Sequence, residues 1–223
     1  MRNLPTAVKH IIIINVLIMV MISLKETFMF ENFALYFPTS PFFRIWQPFT
    51  YMFMHGGLAH LFFNMFALYM FGRTLEYVWG AKRFLIYYLV AGIGAGVLQE
   101  CVQYVHYLQM GLDSYAMVRV SAGAVVPMGE FLNGWTTVGA SGAVFGLLLA
   151  FGMLHPNATI MLLIPPIPMK AKWFVIIYGL LELLFGVSGK MDSVAHFAHL
   201  GGMFWGWLLL IWWRYRDSRK YRY

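Results

Sequence analysis

The side chains best placed to do chemistry in this sequence fall in three short stretches: His60 with Asn64, Ser141, and His199. His60 and Asn64 are four residues apart, so on a helix they stack on one face. Ser141 lies in Gly139-Ala140-Ser141-Gly142, with Gly146 one turn further on. Gly142 and Gly146 form a small-xxx-small pair that lets a second helix approach closely. His199 shares a face with Gly202 and Gly206, and that lean face suits the glycine face beside Ser141. A serine hydroxyl is a weak nucleophile until a base takes its proton. Histidine, which titrates near neutrality, is the natural base. The chemistry these groups suit is acyl transfer, with Ser141 as nucleophile and His199 as general base. No aspartate sits where a third member would be obvious, so a Ser-His dyad is expected rather than a triad. Donors for the developing oxyanion are the Asn64 amide, the His60 ring and the backbone N–H of Ser141. One such donor contributes about 3–4 kcal/mol.

Membrane helices are the elements that must position these groups. The chain has 223 residues, 61% hydrophobic and only 11% charged, where a soluble domain carries about 25% charged residues. It has too little polar surface to cover itself. It reads as an all-α polytopic membrane protein, with residues 1–223 forming one bundle and no separate soluble domain. A span needs about 20 apolar residues. Six are expected: roughly Val8–Met29, Leu58–Trp79, Phe84–Tyr107, Thr137–Leu154, Trp173–Val187 and Val194–Trp213. A short segment, 1–7, precedes them and a basic tail, 214–223, follows.

Six spans put both termini on one side. Arg2, Lys9, Arg73, Lys82, Arg83, Lys170, Lys172, Arg214, Arg216, Arg219, Lys220 and Arg222 fall on that side. Lys25, Arg44, Arg119 and Lys190 fall on the other. The bias places both termini in the cytoplasm. The first span lacks a small-residue cleavage site and reads as retained, not as a removed signal. Spans two, four and six then enter from the outer face. His60, Asn64, Ser141 and His199 lie within about two turns of those outer ends, at similar shallow depth. The bond attacked would be a peptide bond within or beside the bilayer.

The net charge of +7 sits mostly at span ends and in the tail, so it does not argue for nucleic acid. The tail reads as an anchor against anionic membrane lipid. With one cysteine, Cys101, no intrachain disulfide can form. The outer loop 30–57 carries Phe33, Leu35, Tyr36, Phe37, Phe42, Phe43 and Trp46 and is expected to lie in the membrane interface. The loop 108–135 carries less signal, though loops of this length are often functional.

The same stretches resemble the rhomboid family of intramembrane serine proteases. The resemblance rests on TYMFMHGGLAHLFFN, FGRTLEYVWG, GASGAVFG and AHLGGMFWG, in that order and on the expected spans. Any one alone is weak, and alanine at 143 departs from the spacing of an α/β-hydrolase elbow. The resemblance implies a six-helix core in which Ser141 is the nucleophile and His199 the base, while His60 and Asn64 help form the oxyanion hole. It implies cleavage of single-pass transmembrane proteins near the outer membrane face, with neither cofactor nor metal. It points to span five and the following loop as controlling substrate access. His55 fits the family's first histidine, and Gly139, Gly142, Phe145 and Gly202 are supporting positions. Two departures stand out. Trp46-Gln47 stands where many members have Trp-Arg, with Arg44 nearby, and Phe145 stands where several have a tyrosine packed on the catalytic histidine. Phenylalanine keeps the ring contact and loses the hydroxyl. A bacterial plasma membrane is the expected location.

Plainer roles stand beside these. Taken singly, Ser141 and His199 read as helix-packing and interhelical hydrogen-bonding residues, and His60 with Asn64 as a tie to the first loop. His196 is the substitute base. His10, His106 and His155 fall at span ends, where interfacial water suffices. Glu76, near Arg73, Lys82 and Arg83, pins the inner end of span two. Glu100 is less settled. Glu182, in mid-span, reads as a polar tie to a neighbouring helix. The sixteen methionines fill gaps between helices. Two other classes compete: a catalytically inactive rhomboid-like protein that binds membrane helices, and a channel or transporter, for which no repeat symmetry is found. A metal-dependent intramembrane protease lacks its signature. No His-Glu-x-x-His occurs, and His196 and His199 are spaced i, i+3 with no glutamate between them.

Overall fold

Helix α1 (Thr6–Leu24) is apolar and ends where Lys25 leaves the helical region at φ −145°, ψ 56°. A second helix, α2 (Glu26–Phe33), follows at once. The expected first span, drawn to Met29, is therefore cut at Leu24. The charged pair Lys25-Glu26 is the physical reason, since two ionisable residues in succession are costly inside an apolar span. The computed structural model describes residues 4–121, 123–161, 166–188 and 195–220.

A short helix α3 (Gln47–Thr50) and a 3-10 turn (Tyr51–Phe53) lead to the second expected span. That span is one rod in three pieces: α4 (Leu58–Ala67), a π turn (Leu68–Gly72) and α5 (Arg73–Trp79). Gly80, at φ 76°, turns the chain into the long helix α6 (Ala81–Gln109). The connection after α6 holds an antiparallel pair, β1 (Met117–Ser121) with β2 (Ala124–Pro127), and a short helix α7 (Met128–Leu132). Then come α8 (Ser141–Leu154), the antiparallel pair β3 (Thr159–Met161) and β4 (Pro168–Lys170), α9 (Ala171–Ser188) and α10 (His196–Lys220). The bundle is helical as expected, and the two strand pairs in its connections amend the all-α class.

Helices α1, α6 and α9 are each long and apolar enough to cross a membrane. Helix α8 is apolar but only 14 residues long. Helix α10 runs past Trp213 to Lys220, so most of the expected tail is helical. Arg83 ties this extension to α6, pairing with Asp217 at 2.5 Å and lying 4.5 Å over the Trp213 ring. Val194, where span six is expected to start, lies outside the described residues, as do Arg2, Lys190 and Arg222 of the charge bias.

Helices α6, α8 and α10 form the centre. A Cβ on Gly202 of α10 would run into the Gly142 carbonyl oxygen of α8, and one on Gly146 would lie 3.0 Å from the Gly202 carbonyl oxygen. The helices therefore meet backbone to backbone. Two fully buried tyrosines satisfy their hydroxyls on main-chain carbonyls, Tyr51 on Gly92 at 2.6 Å and Tyr87 on Gly146 at 2.8 Å. Glu76 pins the end of α5, but not through the neighbouring basic residues. Its carboxylate accepts from the backbone N–H groups of Ala7 and Val8, each at 2.8 Å. Those amides belong to the first turn of α1, which has no intrahelical partner for them. Helix α9 is different: only 11% of its apolar window is buried, against 39% for α6.

Candidate active site

The segment before Ser141 is extended. Leu35 and Thr137 exchange backbone hydrogen bonds of 3.0 and 2.8 Å, and Gly139 N–H donates to Tyr51 O at 3.0 Å. Gly139 takes φ 129°, which side-chain-bearing residues avoid, and a Cβ there would lie 2.8 Å from His60 Nε2. These contacts delay the helix, which starts at Ser141 and not at Thr137. Ser141 is thus the first residue of α8. The amides of that first turn have no intrahelical acceptor, and the positive end of the helix dipole lies there.

His199 lies in the first turn of α10 and is 8% exposed. Its Nε2 is 2.8 Å from Ser141 Oγ. The Phe145 ring, one turn along α8 from the serine, stacks on the imidazole at 4.2 Å and 5° from parallel. His60 and Asn64 line the same open cavity, of about 1060 Å³, as Ser141 and His199. The backbone N–H of Gly56 points at His60 Nδ1 over a long 3.5 Å. With Nδ1 as acceptor, the proton of the neutral ring sits on Nε2, the nitrogen facing Gly139. Asn64 Nδ2 donates one proton to His60 O at 3.0 Å, leaving its second for the cavity. His55 is buried with its ring 5.0 Å from His60. Burial pushes the His55 imidazole down to about 4, with His60 adding to the shift. Gln47, the departure noted beside Trp46, is fully buried and knits its loop: it accepts from Arg44 N at 3.1 Å and donates to Phe42 O at 2.8 Å.

A family model described as Rhomboid domain matches residues 43–216. The chain belongs to the rhomboid family. It is 29% identical over 191 residues to RHOMBOID-like protein 6, mitochondrial, of Arabidopsis thaliana, covering 79% of this chain and 49% of that protein. It is 32% identical over 168 residues to RHOMBOID-like protein 5 of the same plant, covering 74% of this chain and 44% of the relative. With Rhomboid protease AarA of Providencia stuartii it shares 27% over 175 residues, 74% of this chain and 55% of the relative. The chain spans about half the length of these curated relatives. They include a mitochondrial protein and a bacterial one. The family thus places the chain in a membrane without singling out the bacterial plasma membrane.

Glu182 makes the expected polar tie to a neighbouring helix, and the tie falls at this rhomboid's site. Glu182 reaches from α9 to α10, where its Oε2 lies 2.7 Å from His196 Nδ1 and 2.9 Å from His199 Nδ1. Its position in the sequence does not identify these partners. The available signal was its cost, because a carboxylate in mid-span needs a partner of opposite or titratable character. His196, the substitute base, turns its Nδ1 to Glu182, and the imidazole hydrogen-bonded to Ser141 is that of His199. The donor atoms of Glu182, His196 and His199 all lie within 4.8 Å of one another, close enough to hold a metal ion.

Proposed function

We propose that this rhomboid is an intramembrane serine endopeptidase, with six spans and both termini cytoplasmic, that cleaves single-pass transmembrane proteins near the outer membrane face. The observation that carries the reading is the 2.8 Å approach of His199 Nε2 to Ser141 Oγ at the head of α8, inside an open cavity. As Ser141 Oγ attacks the substrate carbonyl, its proton passes to His199 Nε2 and from there to the leaving amine. The oxyanion meets the Ser141 N–H at the positive end of α8, the free Asn64 N–H and the His60 Nε2–H. Water from the cavity then hydrolyses the acyl-enzyme, with His199 again as base. The similarity to the Providencia relative, a rhomboid protease, supports the same reaction.

The test is cleavage of a reporter transmembrane substrate in proteoliposomes. Ser141→Ala and His199→Ala are each expected to lower the rate by about 10³-fold or more while keeping the wild-type melting temperature. Cleavage unchanged in Ser141→Ala would end this reading.

A further inference from the structure

Glu182 is the only acid on α9. Its side chain is 12% exposed and shares one oxygen between two histidines of α10. We infer that Glu182 is a positioning residue for His199, making the site a Ser141–His199–Glu182 relay assembled from three helices. This deepens the protease reading and rests on it.

The order of atoms carries the inference. Glu182 Oε2 stands 2.9 Å from His199 Nδ1, and the other ring nitrogen stands 2.8 Å from Ser141 Oγ. A proton on Nδ1 facing the carboxylate leaves the Nε2 lone pair free to accept from the serine. When Ser141 Oγ bonds to the substrate carbonyl carbon, its proton moves to Nε2 and the ring becomes an imidazolium. The carboxylate balances that charge without taking a proton, and Nε2 then protonates the amine nitrogen as the C–N bond breaks. His196 Nδ1–H, at 2.7 Å, holds the same oxygen in place. The 2.9 Å contact lies off the line of a good ring N–H bond, since His199 Nδ1 has no aligned acceptor. Catalytic hydrogen bonds often tighten only when substrate binds. Among the described residues, the other titratable groups facing His199 are His196 on its own helix and His60 on α4.

The experiment measures the rate at which a fluorophosphonate labels Ser141, which reports serine activation independently of how a transmembrane substrate gains access. Glu182→Gln keeps the shape and removes the charge. It is expected to slow labelling by about 10- to 10³-fold, less than the loss of about 10⁴-fold seen when a triad aspartate becomes an asparagine, because the resting contact is off line. With the reporter substrate it should lower kcat and leave KM within about twofold. His196→Gln weakens the same link between α9 and α10 but leaves the carboxylate beside His199, and it should label at least about tenfold faster than Glu182→Gln. Should Glu182→Gln not fold, Glu182→Met, which suits an apolar helix, carries the same comparison. Labelling at the wild-type rate in the Glu182 variant, or an equal loss in His196→Gln, would overturn the inference and leave the protease reading standing. Loss of wild-type labelling in EDTA, restored by Zn²⁺, would also overturn it by making the three residues a metal site. A wild-type chain that never labels would overturn the protease reading itself.

Discussion

Along the α8–α10 seam backbone meets backbone, whereas at Gly179 in the middle of α9 the facing side chain has room to give. The Gly142 carbonyl fills the space a Cβ on Gly202 would need, and the Gly202 carbonyl oxygen lies 3.0 Å from where a Cβ on Gly146 would stand. The nearest atom to a Cβ on Gly179 of α9 is the terminal methyl of Met203, at 3.4 Å. Close-packed main chain is stiff, while the end of a methionine adapts. The distance between Ser141 and His199 is therefore set by the part of the bundle least able to move. The residue that orients His199 belongs to the helix least held by its neighbours.

Gly202→Val should break the seam and give the largest effect. Its side chain cannot avoid a carbonyl, so the helices must part. A stability loss of about 3 kcal/mol and a fall in Ser141 labelling of about 10²-fold or more are expected. Thermal melting in detergent and the fluorophosphonate assay read both, and a wild-type melt would show the seam to be slack. Gly139→Ala comes next. It forces a left-handed residue and crowds His60 Nε2 at the serine end of the seam. Its expected cost is about 1–3 kcal/mol, with labelling down by about tenfold. Gly179→Ala sharpens the contrast from the other side. The methyl fits, and helix propensity favours it by up to about 1 kcal/mol, so stability should hold or rise and labelling should not change. A loss above about 1 kcal/mol would mean that α9 is packed as tightly as the seam.

The approach of Ser141 to His199 was legible because small residues recur at helical spacing on both helices, and that period survives without knowledge of the partner. The bounds of the rod from Leu58 to Trp79 were legible for a similar reason, as Gly80 and Lys82 stop the apolar run. The π turn inside that rod left no mark in the apolar pattern. The late start of α8 was hidden too. It depends on Leu35 and Tyr51, about a hundred and about ninety residues earlier, pairing with Thr137 and Gly139. The link from Glu182 to His199 joins two different helices, α9 and α10, and the periodicity of one carries no information about the other. Only the cost of a mid-span carboxylate pointed to it, and two histidines shared that signal.

The hold of Glu76 on α1 has a consequence for how the protein is made. The carboxylate and the Ala7 amide it binds are 69 residues apart in the chain. At about 5–20 residues per second of synthesis, the wait between them is roughly 3–14 s. During that interval water must serve the leading amides of the first helix. That helix can therefore be threaded into the bilayer early, but it is fastened to its companions only once the second rod has emerged.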